Sequence, residues 1–294
     1  RDTFLTTMIP GLTRETPSLG HSAEDFVLPA GVKRIAAAVE YDGSAFCGWQ
    51  RQRHSPSVQA SVEAALSRVA NEPISVVCAG RTDTGVHGTN QIIHFDTAAK
   101  RYNRNWLLGG NANLPYGIRL HWVAEQTADF HARFSATART YRYLISNQAQ
   151  RSALFYHGLS WEKRPLNAPD MHRAIQHLIG EHDFSSFRAA GCQSNSPNRN
   201  IHRARVWRQA DLVIVEITAN AFLHHMVRNI VGALLCIGRR DRSKDWLQEL
   251  LLLRDRTKAP PTAPPNGLYL VRVNYPDCFD VPLFVPGPQF IAEA

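Results

Sequence analysis

The sequence predicts an α+β fold made of two halves joined in one sheet, with a cleft between the halves. Three observations predict it. In the first half the apolar runs read strand, helix, strand, strand, which is not the alternation of a doubly wound fold. The second half follows the same grammar at similar size, an architectural duplication without a visible sequence repeat. The length, 294 residues, suits one large or two modest domains and allows a sizeable core.

The elements follow in order. Residues 35–39 form an apolar run, read as a buried strand, and a turn-rich loop passes through Gly48, Trp49 and Gln52. Val58, Val62, Ala65, Leu66 and Val69 recur at helical spacing, with Ser57 placed as the cap. Residues 74–79 and 91–95 read as buried strands on either side of a short loop, and 118–123 as a fourth strand. Residues 140–145 alternate, with Tyr141, Tyr143 and Ile145 on one face and Arg142 on the other. Met171, Ala174, Ile175, Leu178 and Ile179 make a helical stripe that ends at Gly180. Residues 201–208 and 212–218 read as a hairpin around Gln209, Ala210 and Asp211. Leu223, Met226, Val227, Ile230 and Leu234 predict a helix over 221–238, and another spans 245–253. A Pro-rich connector at 259–265 leads into a last strand at 268–273. The domain reading is a loose tail over 1–31, without the apolar core of a signal peptide. It is followed by an N-terminal α+β subdomain over 32–128 that carries the Asp83 loop, a C-terminal one over 129–275, and a tail over 276–294.

Thirty-three Lys and Arg against 25 Asp and Glu leave a net charge of +8, and the isoelectric point is about 9.5. That surplus favours an anionic partner, most commonly nucleic acid. The composition excludes collagen, low-complexity disorder and a disulfide-stapled mini-protein. The most apolar stretch, around 230–237, is far shorter than the ~18 residues of a membrane span. The five cysteines, Cys47, Cys78, Cys192, Cys236 and Cys278, are odd in number and scattered, without a C-x-x-C. Reduced thiols in a cytoplasm are the expectation. Neither a P-loop nor a G-x-G-x-x-G follows a predicted strand, so no nucleotide cofactor, and no cofactor of any kind, is expected.

The densest polar loop is Gly80-Arg81-Thr82-Asp83-Thr84-Gly85-Val86-His87-Gly88, between two apolar strands. Its glycines permit positive φ and close approach of a ligand. Arg81 is placed to favour the charged form of Asp83, and an ionised carboxylate can serve as nucleophile or base. The plainer reading is a Gly-rich turn with a solvated aspartate. Asp83-Thr84-Gly85 is also the tripeptide of aspartic proteases, but those need two such carboxylates, and no second copy occurs.

Residues 130–143 interleave basic and aromatic side chains, which suits phosphate contacts and base stacking. Arg133, Arg139 and Arg142 are the candidate phosphate ligands, and Tyr141 or Tyr143 the stacking face. The alternative is a strand whose aromatics face the core. Arg199, Arg203, Arg205 and Arg208 make a second basic stretch, otherwise an exposed hairpin. On the predicted helix over 221–238, His224, His225 and Arg228 lie opposite the apolar stripe, with His224 and Arg228 one turn apart. Together with His87, His94 and His131 they raise the question of a metal. No H-E-x-x-H or Cys/His spacing supports one, and none is expected. Pairing with the active-site carboxylate is the more economical role for Arg228.

Taken together, these residues resemble the tRNA pseudouridine synthase A family, the tRNA pseudouridine(38–40) synthases. The resemblance runs through Glu40-Tyr41-Asp42-Gly43, Gly48-Trp49-Gln50-Arg51-Gln52, the Gly80-Arg81-Thr82-Asp83 loop and Asn111-Ala112-Asn113-Leu114-Pro115. It continues through residues 130–143, Asp183-Phe184-Ser185-Ser186-Phe187, the run Asn220-Ala221-Phe222-Leu223-His224-His225-Met226-Val227-Arg228-Asn229-Ile230, and Gly267-Leu268-Tyr269-Leu270. The order and spacing of these segments are highly specific. Thr84 departs from the Ala of many members, with little effect expected.

The resemblance implies two RRM-like α+β halves sharing a mixed, mainly antiparallel sheet, a homodimer, and isomerisation of uridine to pseudouridine at positions 38, 39 and 40 of the tRNA anticodon arm. It implies Asp83 as catalytic carboxylate and Tyr141 as the active-site tyrosine, stacked on a flipped-out base and a candidate to take the C5 proton. It further implies Arg228 as the ion-pairing residue and Arg81 as the residue that fills the space left by the base. His87, Arg133, Arg139, Arg142, His224 and Leu268 are expected to contact substrate. Three routes stay open to Asp83: attack on C1′, addition to C6, or removal of a C2′ proton. Extrusion of the base costs a few kcal/mol, offset by stacking and the basic surface. The rival reading is a non-catalytic basic RNA-binding protein.

Overall fold

The computed structural model describes residues 27–292, so most of the tail expected over 1–31 lies outside the described residues. Ten strands share one sheet: β1 (Lys33–Tyr41), β2 (Val77–Cys78), β3 (His87–Thr97), β4 (Ile118–Gln126), β5 (Ala138–Ser146), β6 (Ser160–Trp161), β7 (Gly180–Asp183), β8 (Asn198–Gln209), β9 (Leu212–Ala219) and β10 (Leu268–Asn274). Their spatial order is β4-β1-β3-β10-β5-β9-β8-β7, with β2 on β3 and β6 on β5. Pairing is antiparallel except for β10 with β3 and β6 with β5. The mixed, mainly antiparallel sheet of an α+β fold is therefore what the structure has.

The last strand joins the halves. β10 pairs with β5 along most of its length, but meets β3 only at Tyr269–His87 and Leu270–Gly88. Along the main strand order the ladder is thinnest at this seam, and the loop between β2 and β3 emerges there.

The apolar run of β1 is buried on both faces because it serves two cores. Ile35, Ala37 and Val39 pack with α1 (Val58–Ala70) and α2 (Asn103–Asn113), while Ala36 and Ala38 join the larger core. That core lies under α3 (Ala168–Ile175), α4 (Met226–Gly238) and α5 (Trp246–Leu253). α1 begins where its cap predicts, with the Ala60 N–H donating to Ser57 Oγ at 3.3 Å.

One helix was not expected, and two expectations need correction. α2 has no sequence signal, since its glycines and asparagines are poor helix formers. Tertiary contacts hold it: Asn111 exchanges two hydrogen bonds with the Leu120 backbone, at 2.9 and 2.8 Å. A Cβ at Gly110 would also stand 2.6 Å from Leu120 Cδ1. The strand expected over 74–79 shrinks to Val77–Cys78, because side chains of α1 take its backbone donors: Ile74 N–H goes to Ser67 Oγ and Val76 N–H to Glu63 Oε1. The segment after 276, expected as a tail, lies along the sheet. The carbonyls of Pro286 and Gly287 accept from Arg142, and Ile291 is buried with Leu144, Ile214 and Val271.

Candidate active site

The loop that carries Asp83 is tied down on both sides. Ala79 N–H donates to Ile92 O at 2.8 Å, and the Gln91 amide brackets Gly80, donating to its carbonyl at 2.5 Å and accepting from its N–H at 3.3 Å. Thr82 is buried, with its hydroxyl 2.8 Å from Tyr41 Oη. Its carbonyl accepts from Trp49 N–H at 3.0 Å, and Val86 N–H closes the turn on Asp83 O at 3.1 Å. Gly85, at φ +77, completes the turn. Asp83 is thus presented from rigid backbone with its side chain 29% exposed.

Gly48 is the close approach on which this depends. At φ +89, a Cβ there would lie 2.8 Å from Thr82 O and 3.2 Å from the Asp83 carbonyl carbon. Gly48→Ala is expected to cost about 1–3 kcal/mol of stability through backbone strain. Displacing the carboxylate should lower turnover about a hundredfold. Thermal melting and turnover per folded molecule check both, and wild-type turnover would mean that Asp83 is positioned without this contact.

Across the seam, the segment before α4 meets the carboxylate. His224 Nε2 lies 3.3 Å from Asp83 Oδ1, His225 Nε2 3.3 Å from Oδ2, and Arg228 Nη1 3.4 Å from Oδ2. Arg228 is aimed by its Nε, which donates to Ala263 O at 2.8 Å. The helix expected over 221–238 starts only at Met226, after a left-handed turn at His225, φ +60. A loop, and not one helical face, therefore brings His224 and Arg228 to the same aspartate. Burial holds the His225 imidazole below its ordinary pKa, partly opposed by the Asp83 charge.

Tyr141 is 9% exposed, edge-on to Phe222 with ring centroids 5.0 Å apart. Burial first, and the Asp83 charge second, push its phenol pKa up. A carboxylate facing an arginine and two imidazoles, beside a protonated phenol under an aromatic edge, can receive an electrophilic or acidic carbon and stack a planar base.

A family model described as tRNA pseudouridine synthase matches residues 37–135 and 174–276. The chain is 56% identical to the tRNA pseudouridine synthase A of Shewanella woodyi over 260 residues, 88% of this chain and 100% of that one. The chain belongs to the tRNA pseudouridine synthase family. The tRNA pseudouridine synthase A of Salmonella typhimurium is 55% identical over 264 residues, 90% of this chain and 98% of that one. Among solved structures, a Cbf5-Nop10-Gar1 complex aligns with a TM-score of 0.35 and 9% identity, covering 80% of this chain and 48% of that one.

Of the side chains expected to meet substrate in a pseudouridine synthase, Arg81 and Arg133 are exposed. Others are committed elsewhere. Arg142 is 1% exposed, its Nε 2.7 Å from Glu216 Oε2, and reaches no surface phosphate. It points to the face of β5 opposite Tyr141, where Glu216 of β9 stands in register with it. Arg139 donates to the carbonyls of Ala79, Arg133, Ala136 and Asn220, and so clamps the start of the Asp83 loop to the second half. Tyr143 is fully buried, with its hydroxyl donating to Pro264 O at 2.8 Å. Leu268 is a core residue.

His87 is also internal. It accepts from Gly43 N–H on Nδ1, faces the carbonyls of His157 and Asn266 with Nε2, and stacks on Tyr269 at 4.6 Å. Burial lowers its pKa despite Asp42. In the basic hairpin, Arg205 pairs with Glu216, Arg208 donates to Asn147 and Leu166, and Arg203 is exposed. Two residues beside the carboxylate and tyrosine had been given no catalytic or substrate role: His225, weighed only with the other histidines as a metal ligand, and Phe222. Both stand inside the Asn220–Ile230 segment that carried the resemblance.

Proposed function

We propose that the protein isomerises uridine to pseudouridine at positions 38, 39 and 40 of the tRNA anticodon arm, with Asp83 as the catalytic carboxylate on a flipped-out uridine. Uridine isomerisation in tRNA is the reaction of the family to which the chain belongs. The observation that carries the assignment of Asp83 is its placement at the seam of the sheet, rigidly held and facing Arg228. A protein that only binds RNA has no use for a carboxylate in a cationic groove. The family pattern further supports a homodimer acting on tRNA in the cytoplasm. Among the described residues no helix is long and apolar enough to cross a membrane.

The reaction breaks C1′–N1 and forms C1′–C5, with a proton lost from C5 and one gained at N1, so it is redox-neutral and needs no donor group. Arg228 balances the Asp83 charge, Tyr141 stacks on the base, and exposed Arg81 occupies the space the uridine vacates. Arg139 acts as a positioning residue through the carbonyl of Ala79. The raised phenol of Tyr141 stays protonated at neutral pH, so it takes the C5 proton only as it passes its own onward. Tyr141→Phe keeps the stacking face and is expected to lower turnover about a hundredfold, with KM within a few-fold. A variant with wild-type turnover would remove the hydroxyl from proton transfer.

The function is tested with unmodified tRNA transcript tritiated at uridine C5. Release of label to water, lost when the uridines at 38–40 are replaced, is the expected result. No release from folded protein that binds tRNA would overturn the enzyme reading and leave a binding protein.

A further inference from the structure

Asp83, His224 and His225 form, among the described residues, the one set of three His, Cys, Asp or Glu side chains whose ligand atoms converge, all within 4.8 Å of one another. Their donor types, two imidazole nitrogens and a carboxylate, suit a particular ion. Zinc bonds to imidazole nitrogen and carboxylate oxygen of about 2.0–2.1 Å, at tetrahedral angles, put neighbouring ligand atoms about 3.3 Å apart. Here each imidazole keeps that spacing from its own carboxylate oxygen, His224 Nε2 3.3 Å from Oδ1 and His225 Nε2 3.3 Å from Oδ2. We propose that these three side chains bind a zinc ion, and that the bound ion silences the enzyme by occupying the Asp83 carboxylate.

The geometry supports a bound ion more than a chance cluster. The two rings are held together, with centroids 3.9 Å apart, and both aim Nε2 at one carboxylate from consecutive residues. His224 is held from its backbone, which donates to Cys192 Sγ at 3.4 Å and accepts from Ala189 N–H at 3.1 Å. The partly exposed cluster is open to solvent, leaving room for water as a fourth ligand. Arg228 is the opposing charge, 3.4 Å from Oδ2. It opposes any divalent cation, so an ion held by charge alone has little to gain here. Magnesium and calcium prefer sets of oxygen ligands and are expected to pass the site by, whereas zinc gains from the two imidazoles. No motif spacing announces the site, because Asp83 comes from a different half of the chain from the histidines.

Zinc binding stands on the geometry alone, while silencing rests on the proposed role of Asp83. The test uses the full chain titrated with zinc against a chromogenic zinc indicator, with turnover measured on tritiated tRNA in parallel. One zinc ion per chain is expected. His224→Gln, His225→Gln and Asp83→Ala are each expected to weaken it by about tenfold or more, as loss of a metal partner does. His121→Gln, an exposed histidine on the outermost strand β4, should leave the affinity unchanged. Wild-type turnover should fall as the site fills, recover on chelation, and be unaffected by magnesium. Equal zinc affinity in all variants would overturn the proposal and place the ion on thiols elsewhere. Absence of binding would overturn it outright. Zinc bound through these residues with turnover unchanged would uphold the site and overturn both the silencing and the catalytic role of Asp83.

Discussion

Replacing Asp83 by asparagine is expected to reduce pseudouridine formation by about ten-thousandfold or more, the scale on which loss of a catalytic nucleophile registers. Asparagine matches the carboxylate in size and still accepts hydrogen bonds from the His224 and His225 side. It has neither the negative charge that Arg228 faces nor an oxygen nucleophilic or basic enough for attack at C1′ or C6 or for proton removal. Binding should survive. tRNA affinity is dominated by phosphate contacts spread over a basic surface, so the loss of one half-buried charge is expected to change Kd by no more than about threefold at fixed salt. Tritium release from C5 and filter binding on the same preparation separate the two effects. Turnover within tenfold of wild type would take Asp83 out of the chemistry on all three routes. Loss of binding in step with turnover would recast it as a structural residue.

Glu216→Ala is expected to cost about 3–5 kcal/mol of stability, the usual penalty for breaking a buried ion pair from one side. Glu216 is 4% exposed and accepts from Arg142 Nε at 2.7 Å and from Arg205 Nε at 2.8 Å. Without it the Arg142 guanidinium, 1% exposed, keeps the carbonyls of Pro286 and Gly287 and the Trp207 ring, but no counter-charge. For a chain of this size the melting temperature should fall by about 10 °C. The pH dependence has a definite sign. Burial alone would raise the Glu216 pKa, but the hydrogen bonds from Arg205 and Arg142 outweigh it and set the folded value below the ordinary one. A depressed carboxylate contributes stability above its unfolded pKa and loses it as pH falls through the folded value. The difference between wild type and Glu216→Ala should therefore be full at neutral pH and shrink in acid. Thermal melts from neutral to acid pH check this, and equal melting temperatures at neutral pH would show that the network contributes nothing net.

Much of the site was legible because it is local in sequence. The Gly80–Gly88 loop announces a tightly turned carboxylate between strands, and Ser57 with its apolar repeat announces α1. These signals act over a few residues, so the physics that reads them in the sequence is the physics that folds them. The side chains around Asp83 were legible only in part. Arg228, 145 residues away, was matched to it as the economical role of a basic residue and again through the family motif. His225 was seen as a helix residue, because nothing local signals the left-handed turn that ends the loop there.

The misread residues share one cause. Alternation along β5 correctly sends Arg142 and Tyr141 to opposite faces, but does not say whether the far face is wet. Glu216, 74 residues on, decides that it is not. Arg139 and His87 have the composition of substrate ligands, yet their polar atoms are consumed by backbone groups of distant segments. α2 exists because Leu120 meets Gly110 and Asn111, against its own propensity.

By itself, then, the sequence determined the α+β class, most of the long strands, the basic charge and the loop that presents Asp83, all properties set by local sterics, periodicity and composition. The tertiary structure alone decided that β10 closes the seam between β3 and β5. It also decided which basic residues face solvent and which side chains converge on the carboxylate, because these depend on contacts between segments whose meeting no short-range pattern encodes.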